Sequence, residues 1–148
     1  MNNLRSVDEL ASEDWFWEKP WLVAGTGQSL ENWKHTDEFN IWTINAAIDV
    51  IKYADIAALH DPIIYQNPTK FIKSPINARY ILTRTCSSPT TSNTVFVQFA
   101  IDRNKNLPLH QTHNSSGFAF SFLCPRVPKI YTIGIDGGRG TFKGLKES

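Results

Sequence analysis

An α/β domain with a mostly parallel sheet is the fold that this sequence predicts, on three observations. The run "WLVAG" (residues 21–25) is short and continuously apolar, the pattern of a strand buried on both faces of a parallel sheet. From there strand and short helix alternate along the chain, the order that builds parallel βαβ units. The 148 residues, five Trp and nine Phe among them, suffice for one domain whose core needs no disulfide or metal staple.

The elements follow in order. Residues 7–17 fit a short amphipathic helix, with Ser6 as N-cap and Glu9 three residues on, as in a capping box. Pro20 ends whatever precedes it. Residues 1–20 are therefore expected as an N-terminal helical extension, and residues 21–148 as the main domain. After the first strand, Ser29 is placed to cap a brief helix, "LENWKH" (30–35). "FNIWTIN" (39–45) is a second strand and "AAIDVIKYA" (46–54) a short helix. "DIAALH" (55–60) is a third strand, after which Asp61 caps "DPIIYQN" and Pro62 takes its first helical position. "ARYILTR" (78–84) is a fourth strand and "TCSSPTTSN" (85–93) a polar loop. "TVFVQFA" (94–100) alternates as a strand at a sheet edge, and "IDRNKNLPLHQTHN" (101–114) reads as an exposed loop. "SSGFAFSFLC" (115–124) is a buried helix, "KIYTIGID" (129–136) the final strand, and the rest an open tail.

Composition narrows the function. A formal net charge of +1 gives no electrostatic case for nucleic acid or an acidic membrane surface. Two cysteines, Cys86 and Cys124, form neither a CxxC pair nor part of a zinc set, and they fit a reducing compartment. The first twenty residues carry five acidic side chains and no signal-peptide core, and no run is long enough to span a bilayer. A cytoplasmic protein is the expectation.

In a parallel sheet, ligands sit beyond the carboxyl ends of the strands. Those ends carry Gly25-Thr26-Gly27-Gln28-Ser29, then Asn45, then His60 and Asp61, then Asp136, while Ser115, Ser116 and Gly117 open the helix before the last strand. The glycines allow close approach to a ligand, and a helix start beyond them offers free N–H groups to a phosphate. The opposing reading is a tight strand-to-helix corner with no ligand. An NAD fingerprint is incomplete, because Leu30 stands at the third glycine and Asn45 where a ribose-binding acid belongs. No lysine follows the glycines as in a P-loop. The arrangement predicted is a Rossmann-like three-layer domain.

Three segments, "VAGTGQSL" (23–30), "SSGFAFSFL" (115–123) and "KIYTIGID" (129–136), occur in an order that resembles the bacterial CMP-sialic-acid-dependent sialyltransferases. That family shows an apolar strand, a GNGPSL-like turn, and later a TSG-initiated helix feeding a strand that ends in GID. "TIN" (43–45) and "ALHDP" (58–62) fall where the family has CNQ-like and YNP-like segments. The chain also resembles the related archaeal-type 6-hydroxymethylpterin diphosphokinases. The first resemblance implies a glycosyltransferase-like protein that binds a nucleotide-sugar donor, a CMP-sugar foremost, for surface-glycan synthesis, with no cofactor required. It implies that Gly25, Thr26, Gly27 and Ser29 hold the nucleotide phosphates and that Asn45 contacts the nucleotide or donor sugar. Asp61 stands where the family has a donor-contacting asparagine. Ser115, Ser116 and Gly117 would meet the donor's sugar or carboxylate, and Asp136 would line its base or ribose.

The family's catalytic histidine and phosphate-supporting tyrosines lie beyond the GID strand, and the twelve residues after Asp136 hold neither. A fragment of a longer chain, or a reduced relative, is expected. His60 and His113 are the candidates for a base, each against the plainer reading of a satisfied or solvated histidine, and His110 and His113 together lack a third metal ligand. Asp61 is as well suited to capping as to binding, Asp136 to a turn with Gly137-Gly138, and Arg139 and Lys143 to solvated charge as to a phosphate. Trp15, Trp17 and Trp21 fit packing anchors or a partner surface. The diphosphokinase alternative would need ATP and Mg, with Asp61 and Asp136 as metal-ligand candidates. A non-catalytic nucleotide-binding or interaction module is the third, and an oligomer is compatible with all three.

Overall fold

The computed structural model describes residues 5–59, 70, 72–73, 75–83, 94–96 and 115–136. Among the described residues, seven strands form one sheet: β1 Arg5–Ser6, β2 Trp21–Ala24, β3 Asn40–Ile44, β4 Ala54–Leu59, β5 Ala78–Thr83, β6 Thr94–Phe96 and β7 Ile130–Ile133. Their order is β1-β6-β5-β4-β3-β2-β7, and every neighbouring pair is parallel. Two α-helices are described, α1 Ile48–Ile51 and α2 Ser115–Leu123. The fold class is α/β, and the described sheet is wholly parallel rather than mostly so.

Every residue of β2, β3 and β4 is buried, which is why these strands read as continuous apolar runs. Alternate residues feed different cores. Trp21 and Val23, Trp42 and Ile44, and Ile56 and Ala58 pack with Val7, Leu10 and Phe16 and with Phe118 and Phe122 of α2. Ala24 and Ile41 pack instead with Leu30, Ala47 and Ile51. The period-two alternation of strand side chains therefore has covering elements on both sides.

Ring contacts fix the direction of α2. Phe118 and Phe122 both lie against Trp42, and Phe122 reaches Phe16, which packs on Trp21 at the start of β2. The helix therefore runs back along the strands, with Ser115–Gly117 toward their carboxyl ends.

Several expected elements are different. Residues 7–17 are not one helix but two 3-10 segments, Val7–Ser12 and Asp14–Trp17, broken at the extended Glu13. Ser6 belongs to β1, which pairs with β6. The segment packs within the principal core, since Val7, Leu10 and Phe16 are fully buried there. The helix expected over 30–35 is a 3-10 segment, Gln28–Asn32, and Ser29 lies inside it. The helix expected over 46–54 is a 3-10 turn, Asn45–Ala47, followed by one turn of α1. It stops because Lys52 takes the left-handed conformation, φ 77°, and closes the end by donating its N–H to Ile48 O. Strand β6 lies between β1 and β5 rather than at an edge. The helix expected over 61–67, the loops over 85–93 and 101–114, and the tail lie outside the described residues. Among the described residues, no helix is long and apolar enough to cross a membrane.

Candidate functional site

The strand order places a topological switch point between β2 and β7. From β2 the strands β3 to β6 are laid down on one side, and then the chain returns to set β7 on the other. In open α/β sheets the crevice beyond the carboxyl ends at such a point is the usual ligand position. The loops flanking it here are residues 25–29 after β2 and residues 134–136 after β7.

These two loops are bonded to each other. The pairing of β2 with β7 continues past the strands as Gly25 N–H donates to Ile133 O at 2.8 Å and Gly27 N–H to Gly134 O at 2.7 Å. Gly134, at φ +69°, turns its own N–H to Ser29 Oγ at 2.8 Å. Ser29 Oγ donates in turn to Asp136 Oδ1, and Ser29 N–H donates to Asp136 Oδ2 at 3.0 Å. Close approach explains Gly25: a Cβ there would meet Gly134 O at 2.6 Å. Four of the residues singled out in the sequence, Gly25, Gly27, Ser29 and Asp136, are thus brought into one cluster. Thr26 is half-buried between the two glycines.

The same geometry shows what these groups are occupied with. The N–H groups of Gly25, Gly27 and Ser29 all donate within the chain, and a carboxylate lies where a phosphate would approach the Ser29 amide. Ser29 does not act as the N-cap expected of it; its hydroxyl is engaged by Asp136 and Gly134, which arrive from more than a hundred residues later. The Ser29 hydroxyl first, then the Ser29 and Gln28 amides, hold the Asp136 carboxyl below its ordinary value of 3.8. The folded form therefore holds that proton less tightly than the unfolded chain. Its contribution to stability is complete above 3.8 and fades as the pH falls through the lower folded value. A carboxyl-detected NMR titration is expected to place the Asp136 midpoint below 3.8, and Ser29→Ala to return it toward 3.8. A midpoint at or above 3.8 in the unaltered chain would show that the Ser29 bonds are not formed in solution.

Asn45 directly follows β3, in the left-handed region at φ 51° that asparagine tolerates better than most residues. Its Oδ1 is buried and has no hydrogen-bond donor among the described residues. Thr43 Oγ1 and Trp42 Nε1, on the same strand, are buried in the same condition. Such atoms are exceptional in a folded core. Ser115, Ser116 and Gly117 form the first turn of α2, which packs with Val23 and Trp42; the segment holding Ser29 packs through Leu30 with Ala24 and Ile41. The two helical starts therefore flank different sides of the sheet and are not joined as one cradle. His60, Asp61, His110 and His113 lie outside the described residues, as do Arg139 and Lys143.

Gly134 was not singled out in the sequence, although it supplies both a donor and an acceptor to the cluster. Its signal was the glycine in "TIGID", directly after an apolar run. Another carboxylate, Asp55, is buried near the start of β4. It accepts Ile41 N–H at 2.8 Å and Arg79 Nε at 3.3 Å, which accounts for its burial structurally. Burial, and then the Asp55 charge, push the neighbouring Tyr53 hydroxyl above its ordinary range. Among the described residues, no group of three or more His, Cys, Asp or Glu is placed to hold a metal ion. No family model, curated protein or solved structure matches the chain.

Proposed function

We propose that the chain is a Rossmann-like nucleotide-binding protein of glycosyltransferase type. In this reading it takes a nucleotide-sugar donor, a CMP-sugar foremost, at the carboxyl ends of β2, β3 and β7. The observation that carries this is the switch point between β2 and β7, where the loop residues of the resemblance meet at the position that open parallel sheets use for ligands. The buried, undonated Oδ1 of Asn45 at the end of β3 supports it, because a ligand N–H or O–H would satisfy that acceptor. In this reading the first turn of α2, Ser115–Gly117, which lies toward the carboxyl ends of the strands, meets the donor's sugar or carboxylate.

Asp136 is the one ionisable side chain among the described residues 25–29, 45–47, 115–117 and 134–136. Hydrogen bonding favours its charged form, which makes it a poor proton acceptor. The base that sugar transfer needs would come from elsewhere, with His60 and His113 as candidates. Binding without catalysis is accordingly the second reading. The magnesium-dependent diphosphokinase reading keeps Asp136 as one ligand and Asp61 as the other.

The test is a titration of the folded chain with CMP, UDP, GDP and ATP, with and without magnesium. Magnesium-independent CMP binding is expected, weakened roughly tenfold in Asn45→Ala and in Ser116→Ala by loss of a hydrogen bond each. Gly27→Val is a poor probe, because a side chain there would strike Gly134 O at 2.7 Å and Asp136 whether or not a ligand binds. Magnesium-dependent ATP binding would favour the diphosphokinase reading. Absence of binding by all four nucleotides in a folded sample would sink the nucleotide site.

A further inference from the structure

We propose that the Ser29–Asp136 pair is a strap across the mouth of the switch-point crevice, and that residues 134–136 lift away from the loop after β2 as a unit while the rest of the sheet stays folded. The strap is concentrated in a few bonds. Ser29 alone makes three of them, to both carboxylate oxygens of Asp136 and to the Gly134 amide, and Gly27 N–H to Gly134 O adds a fourth. The one apolar side chain of the segment, Ile135, is only partly buried where it packs against the principal core. Strand β7 is the last described strand on its side; Tyr131 and Thr132 are exposed and Ile130 and Ile133 only partly buried, whereas β2, β3 and β4 are buried throughout. Asp136 itself is exposed. Regions with few buried apolar contacts and solvent-facing hydrogen bonds open locally at a fraction of the cost of global unfolding. Gly134 supplies the pivot, since it sits between the strand and Asp136 at a backbone conformation that glycine enters and leaves freely.

Opening frees the Ser29 hydroxyl and amide and separates the two loops that close the crevice. That consequence for ligand access rests on the binding reading above; the strap does not.

Native-state hydrogen exchange on the full chain tests it without a ligand. The amides of Gly27, Ser29 and Gly134 are expected to exchange through an opening that is nearly independent of low denaturant, while those of β3 and β4 exchange only through global unfolding. Asp136→Asn and Ser29→Ala are expected to speed exchange at Gly27 and Gly134 by roughly tenfold or more and to leave β3 and β4 unchanged. Equal rates and equal denaturant dependence for Gly27, Gly134 and the β3 amides in the unaltered chain would overturn the strap, and that comparison needs no variant to fold. A failure of CMP to bind, with the exchange pattern as expected, would overturn the binding reading and leave the strap standing.

Discussion

Trp42→Ala is expected to cost about 3–5 kcal/mol, the range for truncating a large aromatic in a well-packed core. Trp42 is fully buried in a strand that has neighbours on both sides, and it meets Trp21, Phe118 and Phe122 at ring-centroid distances of 5.9–6.3 Å. It joins the helix that carries Ser115–Gly117 to the strand that leads into Asn45, so its loss loosens the frame of the candidate site as well as the core. Its indole N–H has no acceptor among the described residues, so truncation removes a dissatisfied donor and the cost is set by packing. Urea unfolding with a free slope is the measurement. A loss below about 1 kcal/mol would mean that α2 does not pack on β3 as described.

Gly25→Ala is the second large effect, expected at about 2 kcal/mol or more. One methyl group would sit 2.6 Å from Gly134 O and 3.0 Å from Ile135 Cγ1, and the first of these is backbone that cannot swing aside. The variant separates two roles for the turn. If the glycine serves the approach of β2 to β7, stability falls with no ligand present. If it serves only a ligand, stability stays within roughly 0.5 kcal/mol and nucleotide affinity alone changes. The geometry calls for the first outcome.

The parts of the fold that could be read in the sequence are those in which local pattern and burial coincide. Strands β2, β3 and β4 are buried along their whole length, so each stands out as an apolar run bounded by polar or glycine residues. Strand β1 could not be read, because two residues carry no period and are a strand only through their pairing with β6. The short helices are shorter than the sequence predicts for a related reason. Helical periodicity continues past Ile51, and nothing local announces that Lys52 will turn left-handed. The candidate site divides in the same way. The rule that ligand groups follow parallel strands assembled Gly25, Gly27, Ser29 and Asp136 from sequence. It could not foresee that Ser29 and Asp136 would use their hydrogen bonds on each other, because that choice is made between residues 107 positions apart. For Asn45 the residue type was visible, but the buried, undonated oxygen was not.

The wholly parallel sheet also bears on how the chain comes together. No described strand can pair with its neighbour through a tight turn, so each pairing closes a long loop of chain before it gains any contact. The outermost pairings are the most distant: Arg5 lies opposite Val95, and Trp21 opposite Ile130. On a ribosome, β1 waits until most of the chain has emerged, and β2 keeps one open side until residue 133 is made. The two edges of the sheet are therefore the last to be completed during synthesis, and until then the buried residues of β2 have one flank without its final neighbour.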